Sequence, residues 1–403
     1  MAMQRARCLP GQFPGGVLTL ARLSGEKQGL HIMQRIGQFF MCEKQKKFTL
    51  DKSVSKVLDS GVTVYKIVYE PEFISSYSDD LKNYHGMYQF EVDEAPGGWL
   101  ENESNLSQDG MCVVMDDACV YGNANVSDDA YVYQNASVSG KAIVAGRACI
   151  CGNACATDSA RIADFGYVGD FAKISGQSVI HDSARISGNA AVKDARIYDD
   201  AEVSDNAEIN GGRVFEHARV YGNARVESAD CFGNAEVYGH AHVYGEAQVC
   251  GYARVYGYAR VYNHAFITDR AAIFGTRAAL YNHAGAYDDA RIYGCARVSD
   301  HARVMDEAEV FGEARMSDHA DVFGKAKLFG FARLYDNARI FGKASVYDNA
   351  IVKDNCDISG DAEVCHEAVL SGNSYKTGII TEDPGQALDF HKRLRMMRRR
   401  RCM

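Results

Sequence analysis

The chain is poor in several features that mark common protein classes. It has 5 prolines and 1 tryptophan in 403 residues. No apolar run is long enough to span a membrane as a helix. No CxxC pair occurs among its 13 cysteines, which are spread along the chain. We therefore predict free thiols in a reducing, cytoplasmic environment and no metal site.

Basic charge is also in deficit. The formal net charge is −9 at pH 7 and the isoelectric point is about 5.8. This balance excludes a general nucleic-acid binder, because such proteins are basic. The exception is the C-terminal end, where Arg398–Arg401 form a basic run. That run is a candidate for contact with nucleic acid or anionic lipid, although a solvated tail is the favoured interpretation.

What the chain has in abundance is a six-residue period. Alanine recurs at every sixth residue from Ala278 to Ala350, and an apolar residue follows two positions later, from Leu280 to Val352. Residues two apart on a strand face the same way, so both are predicted to point inward. The Gly, Asp, Asn or His pairs between them tolerate a positive φ and turn the chain. The period indicates an all-β, parallel β-solenoid.

The unit V-Y-G-N-A-R, from Val220 to Arg225, resembles the repeat of hexapeptide-repeat proteins. That resemblance implies a left-handed β-helix whose triangular coils take about 18 residues each. We count about 44 inward aliphatic positions between Val114 and Leu370, or between 14 and 15 coils.

An entry segment precedes the repeats. Gly97-Gly98-Trp99-Leu100-Glu101, followed by Asn105-Leu106-Ser107-Gln108 and Gly110, is similar to the entry segment of the YdcK-like family of bacterial and phage hexapeptide-repeat proteins. Members of that family are assigned as transferases from fold alone, so the resemblance implies little about function. We expect Trp99 to plug the first coil.

Four segments are predicted. Residues 1–45 are a disordered or non-native leader, and residues 46–110 are an N-terminal β cap that includes the entry segment. Residues 111–371 form the β-helix. Residues 372–403 form a cap helix, beginning at Asp383-Pro384, and the basic tail.

Irregular steps fix the register. Three steps between consecutive inward aliphatic residues take five residues instead of six, and we assign all three to one corner. They are Val192 to Ile197, Ile209 to Val214 and Val226 to Cys231. The step from Ile273 to Leu280 has one extra residue and falls at another corner. With these corrections, three outward rows can be followed from coil to coil.

Each row has a structural and a functional interpretation. Aromatic residues on one face either hold the sheet in register or form a self-association or partner surface. An arginine and tyrosine face is either screened by solvent or binds anions. Histidines at one corner either belong to a turn ladder or act as bases. The partner-binding candidates are Tyr238, Tyr256, Phe274, Tyr293, Phe311, Phe329 and Tyr347. The ligand-binding candidates are Arg260, Arg297, Arg315, Arg333, Tyr244, Tyr262 and Tyr281. The catalytic candidates are His264, His283, His301 and His319.

Cys149, Cys151 and Cys155 are the only cysteine cluster. The register predicts that all three point outward, with Cys155 on the next face. Free thiols are favoured there over metal binding.

Two functions from different classes follow. The favoured one is a non-catalytic scaffold or binding rod, which self-associates as a homo-oligomer or binds a protein or an anionic ligand and needs no cofactor. The alternative, implied by the family resemblance, is an acyltransferase that uses acetyl-CoA or another acyl-CoA, with a corner histidine as general base. No insertion longer than one residue interrupts the repeats, and this uniformity favours the rod.

Overall fold

The computed structural model describes residues 46–74 and 97–381. The predicted leader, the C-terminal cap helix and the basic tail lie outside these residues. The chain divides into two units, Met1–Lys46 and Lys47–Met403. Apart from Lys46, all described residues belong to the second unit.

The second unit is a β-solenoid, as the six-residue period predicted. Short strands stack in parallel from coil to coil and form three sheets around one core. We name them the first, second and third sheet in the order in which the chain visits them from Val113 onward. The first, second and third corners follow the sheets of the same number. Strands of successive coils are commonly 18 residues apart, so one coil takes three repeats.

The first sheet has 16 strands. They are Val113–Val114, Tyr131–Val132, Cys149–Ile150, Tyr167–Val168, Arg185–Ile186, Glu202–Val203, Arg219–Val220, Glu236–Val237, Arg254–Gly257, Ala272–Gly275, Arg291–Tyr293, Glu309–Val310, Lys327–Leu328, Ser345–Val346, Glu363–Val364 and Ile379–Ile380.

The second sheet has 18 strands. They are Phe48–Val57, Thr63–Tyr69, Trp99–Leu100, Cys119–Val120, Ser137–Val138, Cys155–Ala156, Lys173–Ser175, Ala191–Lys193, Glu208–Asn210, Arg225–Glu227, His242–Tyr244, Arg260–Tyr262, Ala279–Tyr281, Arg297–Val298, Arg315–Met316, Arg333–Leu334, Ile351–Lys353 and Val369–Ser371.

The third sheet has 15 strands. They are Asn125–Val126, Ile143–Val144, Arg161–Ile162, Val179–Ile180, Arg196–Ile197, Arg213–Val214, Asp230–Cys231, Gln248–Val249, Phe266–Ile267, Gly285–Ala286, Arg303–Val304, Asp321–Val322, Arg339–Ile340, Asp357–Ile358 and Ser374–Tyr375.

Helix is scarce in the described residues. One short helix covers residues 71–74, and a 3-10 turn covers Glu103–Asn105. Within residues 46–74 and 97–381, no helix combines the length and the apolar character that a membrane crossing needs.

The core consists of the two inward positions of each repeat. Ala302 and Val304 are both fully buried, and the same holds for nearly every equivalent pair. Arg303, which lies between them, is exposed. The small alanine fits near the corner and the branched side chain fills the centre, so every coil buries apolar surface against its neighbours.

The corners are closed by residues in the left-handed region of φ. In the second corner Asn263, Asn282, Asp300 and Asp318 have φ of 60° or 61°. Asp carboxylates also bind across coils: the backbone N–H of Gly324 donates to Asp306 Oδ2 at 2.9 Å. Because Asn and Asp tolerate this conformation better than most residues, turn chemistry accounts for their recurrence.

The irregular steps lie where the sequence placed them. The three short steps all connect the second sheet to the third, and coils there are 17 residues apart. The long step connects the first sheet to the second, and contacts across it span 19 residues. The register corrections are therefore confirmed.

The solenoid extends beyond its predicted limits at both ends. Trp99 and Leu100 pair in parallel with Cys119 and Val120, so the entry segment is itself part of a coil. At the other end, the strands Ser374–Tyr375 and Ile379–Ile380 extend two ladders past residue 371. The sheets therefore exceed the predicted 14 to 15 coils, because the first sheet alone has 16 strands.

The expectation that Trp99 plugs the first coil is wrong. Leu100 is the fully buried residue of that strand. Trp99 faces outward, where the ammonium groups of Lys56 and Lys66 lie 4.5 and 4.7 Å from its ring. The predicted β cap is a hairpin of Phe48–Val57 and Thr63–Tyr69, which continues the second sheet in antiparallel fashion.

Tight stacking of the corners can be tested with two glycines of nearly equal φ. A Cβ on Gly330, at φ 69°, would approach Asp348 N to 2.9 Å, whereas a Cβ on Gly372, at φ 70°, has no atom within 4 Å. We expect both Gly→Ala variants to lose about 1–2 kcal/mol of stability from the left-handed conformation. Gly330→Ala should lose more, because its methyl group also clashes with the next coil. Urea denaturation measures both, and equal losses would contradict tight corner stacking.

Candidate anion-binding groove

A groove runs along the outer surface of the second sheet. The residues that directly precede the inward aliphatic residues of the second sheet form its floor. The tyrosines that directly follow those aliphatic residues form one wall. The other wall is the first corner. These positions repeat in every coil, so the coil geometry alone aligns them into a trough. Its volume is about 940 Å³.

The groove is lined by Asn206, Glu208, Asn223, Arg225, His240, His242, Tyr244, Tyr258, Arg260, Tyr262, Thr276, Arg277, Ala279, Tyr281 and Arg297.

Charge pairing separates this face from the other two. On the third sheet Arg339 makes two hydrogen bonds to Asp357, at 2.8 and 2.7 Å, and on the first sheet Lys327 pairs with Glu309 at 3.0 Å. Such cross-coil pairs are common there. They include Arg213 with Asp230, Arg303 with Asp321, Arg219 with Glu202 and Arg254 with Glu236.

The second sheet lacks this pairing along most of its arginine row. Arg225 pairs with Glu208 at 3.2 Å, but beyond it the floor positions carry no carboxylate. Arg297, Arg315 and Arg333 follow one another in direct register. Within the described part of the chain, these three and Arg260 have no ion pair. Their guanidinium groups are exposed, so the row presents uncompensated positive charge.

The groove contains one coil that differs from the rest. Ala279 occupies the floor between Arg260 and Arg297, where a small side chain leaves a gap in the row. The same coil carries the long step in its first corner, and its wall residue is Arg277, where the preceding coils have Tyr258 and His240. Arg260, Arg277 and Arg297 therefore all line the part of the groove that contains Ala279. This is a distinct position in an otherwise repetitive row.

The tyrosine wall is a continuous stack. The rings of Tyr244, Tyr262 and Tyr281 lie 4.8 Å apart and within 4° of parallel. Burial raises the pKa of Tyr262 and of Tyr244, so their hydroxyl groups stay neutral at physiological pH. Both faces of the Tyr262 ring are covered by its neighbours. A nucleobase therefore cannot stack on it, and the wall offers hydroxyl groups and ring edges.

One histidine lies inside the groove next to a carboxylate. His242 Nε2 is 3.1 Å from Glu227 Oε1, and its ring lies 4.4 Å from the Tyr244 ring. The distance suits an ion pair, but the angles do not suit a hydrogen bond, and Nε2 is buried without a hydrogen-bond partner. A small rotation of the imidazole ring would align Nε2 with the Glu227 carboxylate, because the two atoms are already within hydrogen-bond distance.

The four candidate catalytic histidines lie outside the groove, at the second corner. The rings of His264, His283, His301 and His319 stack 4.8 to 5.0 Å apart. The first three line an open hollow of about 470 Å³ together with Glu246 and their Asn and Asp neighbours. Asn282 donates to Asp300 Oδ1 at 2.9 Å. Burial alone would raise the pKa of Asp300, but hydrogen bonds from Ser299 and Asn282 hold it below its usual value. The residues with positive φ are the Asn and Asp, not the four histidines. The four histidines differ in one respect, because His264 Nδ1 lies 3.1 Å from Glu246 Oε2.

The aromatic candidates form a single stack on the first sheet. Rings from Tyr221 to Tyr347 follow one another at 4.7 to 5.0 Å and within 10° of parallel. Most are half-buried, which supports a role in holding the register. Sequence reasoning missed a second stack on the third sheet, formed by His181, Tyr198, Phe215 and Phe232. Self-association and partner binding through the aromatic row stay predictions.

The cysteine cluster separates onto two sheets. Cys149 and Cys151 flank the inward Ile150 on the first sheet, and Cys155 lies on the second. Cys151 faces outward but is only 3 % exposed, with Tyr167 Oη 3.3 Å from its sulfur. Every cysteine in the described residues is a free thiol.

The structure thus places Arg260, Arg297 and the three candidate tyrosines together in the groove. It places Arg315 and Arg333 further along the same floor row, outside the groove. Sequence reasoning missed Arg277, His240 and Tyr258, which belong to the opposite wall. The long step from Ile273 to Leu280 was the signal for Arg277, since the extra residue marks the coil that departs from the repeat.

Comparisons with known proteins do not assign the chain. No protein-family model and no curated protein matches it. The resemblance to the YdcK-like family therefore stays a prediction, and so does the handedness of the coil.

The unpaired row should carry a stability cost. Arg315 lies between Arg297 and Arg333, so Arg315→Gln removes repulsion on both sides and should raise the free energy of unfolding by about 0.2–1 kcal/mol at low salt. Arg339→Gln, which breaks a paired site, should lower it by about 0.2–1 kcal/mol. Both effects should shrink in 1 M salt, where the Debye length is about 3 Å. A loss of stability in Arg315→Gln would show that the row is not self-repelling.

Proposed function

We propose that the protein is a non-catalytic binding rod whose groove on the second sheet holds a linear polyanion. One observation carries this proposal: Arg260, Arg277 and Arg297 line one stretch of the groove beside the small Ala279 and have no ion pair in the described residues, whereas arginines of the other sheets are commonly paired. Uncompensated like charges cost stability. An anionic ligand that neutralises them removes that cost.

The spacing of the charges suits a chain rather than a single small anion. Successive coils are about 4.8 Å apart, so Arg260 and Arg297 are separated by about 10 Å along the sheet, with Arg277 between them on the wall. Guanidinium groups bind phosphate, sulfate and carboxylate through paired N–H donors. The tyrosine hydroxyls of the opposite wall add neutral hydrogen-bonding groups along the same line. A ligand with anionic groups repeated every few ångströms meets all of these donors at once.

The negative charge of the whole chain favours selectivity. With a net charge of −9, most of the surface repels polyanions, and the groove is a local exception. Clefts of one sign concentrate the field and raise the local concentration of the oppositely charged ligand. Binding at this face is therefore expected to be local and sensitive to salt.

Binding can be tested by calorimetry with inorganic polyphosphate and with heparin, which separate phosphate from sulfated-sugar chemistry. We expect wild-type protein to bind at least one of them. The triple variant R260Q/R277Q/R297Q should weaken binding, and the slope of log K against log salt should fall by about one for each arginine removed. The side chains are exposed and unpaired, so the variant should fold normally.

The matched control is R161Q/R196Q/R291Q. These arginines are also exposed and lie on strands of the first and third sheets, so the change in net charge is the same. Its affinity and salt slope should equal those of the wild type. Equal weakening in both triple variants would show that net charge, not the groove, is responsible, and would contradict the proposal.

A second candidate function, acyl transfer from acyl-CoA, is favoured by the His242–Glu227 pair within the groove. A carboxylate next to an imidazole orients it and stabilises its protonated form, which is how general bases are commonly arranged. The arginines would then hold the phosphates of the acyl-CoA.

This candidate predicts release of free CoA from acetyl-CoA when amine and hydroxyl acceptors are supplied. His242→Asn should lower the rate by about 10²- to 10⁴-fold, whereas His301→Asn should leave it unchanged. The reverse result would assign the base to the second corner. No release by the wild type with any acceptor would exclude acyl transfer and leave the rod.

A further inference from the structure

Three departures from the repeat meet at the first corner in the last coils. In seven consecutive coils, from Tyr221-Gly222 to Phe329-Gly330, this corner begins with an aromatic residue followed by a glycine of positive φ. In the next coil the glycine is replaced by Asp348. In the coil after that, the aromatic residue is replaced by Cys365 and the glycine by His366.

His366 has a left-handed backbone conformation. Its φ is 62°, and it is the only histidine of the described residues with a positive φ. The left-handed region costs a residue with a Cβ about 1–2 kcal/mol, and glycine fills this position without that cost in the seven coils from Gly222 to Gly330. Strained residues of this kind cluster where function requires the side chain.

The three replacements bring different metal-binding atoms together. His366 Nδ1 lies 3.1 Å from Cys365 Sγ and 4.0 Å from Asp348 Oδ2, and ligand atoms of all three residues lie within 4.8 Å of one another. Cys365 is fully buried, His366 is half-buried and Asp348 is exposed. An ion at their centre would have protein on one side and solvent on the other.

We propose that Asp348, Cys365 and His366 form a zinc site that leaves one coordination position open. Sulfur, imidazole nitrogen and carboxylate oxygen are the ligands that Zn²⁺ takes, and three protein ligands with a free fourth position are typical of reactive rather than purely structural sites. At usual bond lengths and tetrahedral angles, the nitrogen ligand lies about 3.6 Å from sulfur and about 3.4 Å from oxygen. The observed distances differ from these by about 0.6 Å at most, which a small rotation of the imidazole absorbs.

A second cluster shows why the departures from the repeat matter. Asp164, His181 and Asp182 also bring possible ligand atoms within 4.8 Å of one another. There both carboxylates occupy ordinary corner positions with φ of 56° and 53°, as Asp348 does with φ of 56°, but that cluster has no cysteine and its histidine does not replace a corner glycine. His181 belongs to the aromatic stack of the third sheet, with its ring 5.1 Å from that of Tyr198. Turn and stacking chemistry account for that cluster without a metal.

The test uses the full chain, stripped of metal with a chelator and titrated with Co²⁺, which reports its own ligands. We expect a thiolate-to-cobalt charge-transfer band and the visible spectrum of a tetrahedral ion, with one site per chain. Both signals should be lost in Cys365→Ser. They should persist in Cys295→Ser, which removes a partly exposed thiol from the first corner, one coil after the long step.

Two further variants keep the result independent of folding. Asp348→Gly and His366→Gly restore the residue that the repeat uses at this corner. His366→Gly should melt at or above the wild-type temperature in chelator, whereas Asp348→Gly also loses the hydrogen bond that its carboxylate accepts from the His366 N–H at 3.1 Å and should melt close to the wild-type temperature. Each should lower Zn²⁺ affinity by more than about tenfold, measured by competition with a chromogenic chelator. Zn²⁺ should raise the melting temperature of the wild type but not of His366→Gly. A cobalt thiolate band that survives in Cys365→Ser, or its absence from wild type at saturating Co²⁺, would overturn the proposal.

Discussion

The backbone hydrogen bond between neighbouring coils is the constraint on which the rest of this structure depends. It sets a separation of about 4.8 Å between strands and places each residue directly against the residue that occupies the same position one coil away. The strand Arg291–Tyr293, for example, pairs with the strands one coil before and one coil after it. Everything else in the molecule, from the buried alanines to the corner carboxylates, is repeated at that interval.

This constraint places outward side chains of the same chemical type directly against one another in successive coils. Aromatic rings benefit, because rings 4.7 to 5.0 Å apart pack face to face along the first sheet. Rows of like charge repel one another, and most of them are neutralised because acidic and basic residues alternate from coil to coil. Arg303 and Asp321, for example, form hydrogen bonds of 2.9 and 2.8 Å. The arginine row of the second sheet is the exception, since Arg297, Arg315 and Arg333 follow one another without an acidic residue between them. A row that the fold could have neutralised but did not is the best physical reason to expect a ligand there.

Distinct sites arise only where the repeat is broken. A strict repeat offers many copies of one arrangement, as the stacked aromatic rings of the first sheet show. The coil with one added residue has Arg277 in the wall and Ala279 in the floor, and three replacements at the first corner bring Asp348, Cys365 and His366 together. In both places the regular coils supply a rigid frame, and the irregular coil supplies the chemistry.

The sequence by itself determined the coil. The alternation of alanine and aliphatic residues fixes which side chains point inward, and the three short steps and one long step fix the register, because a six-residue unit permits only one inward pair. It also determined which outward residues share a row. Only the tertiary structure showed that the rows at Tyr258, Arg260 and Tyr262 enclose a groove, because the direction of a side chain at a corner does not follow from the period. It alone showed that Trp99 lies outside the core and that Cys365 and His366 meet Asp348, since contacts between single, non-repeating residues have no periodic signal.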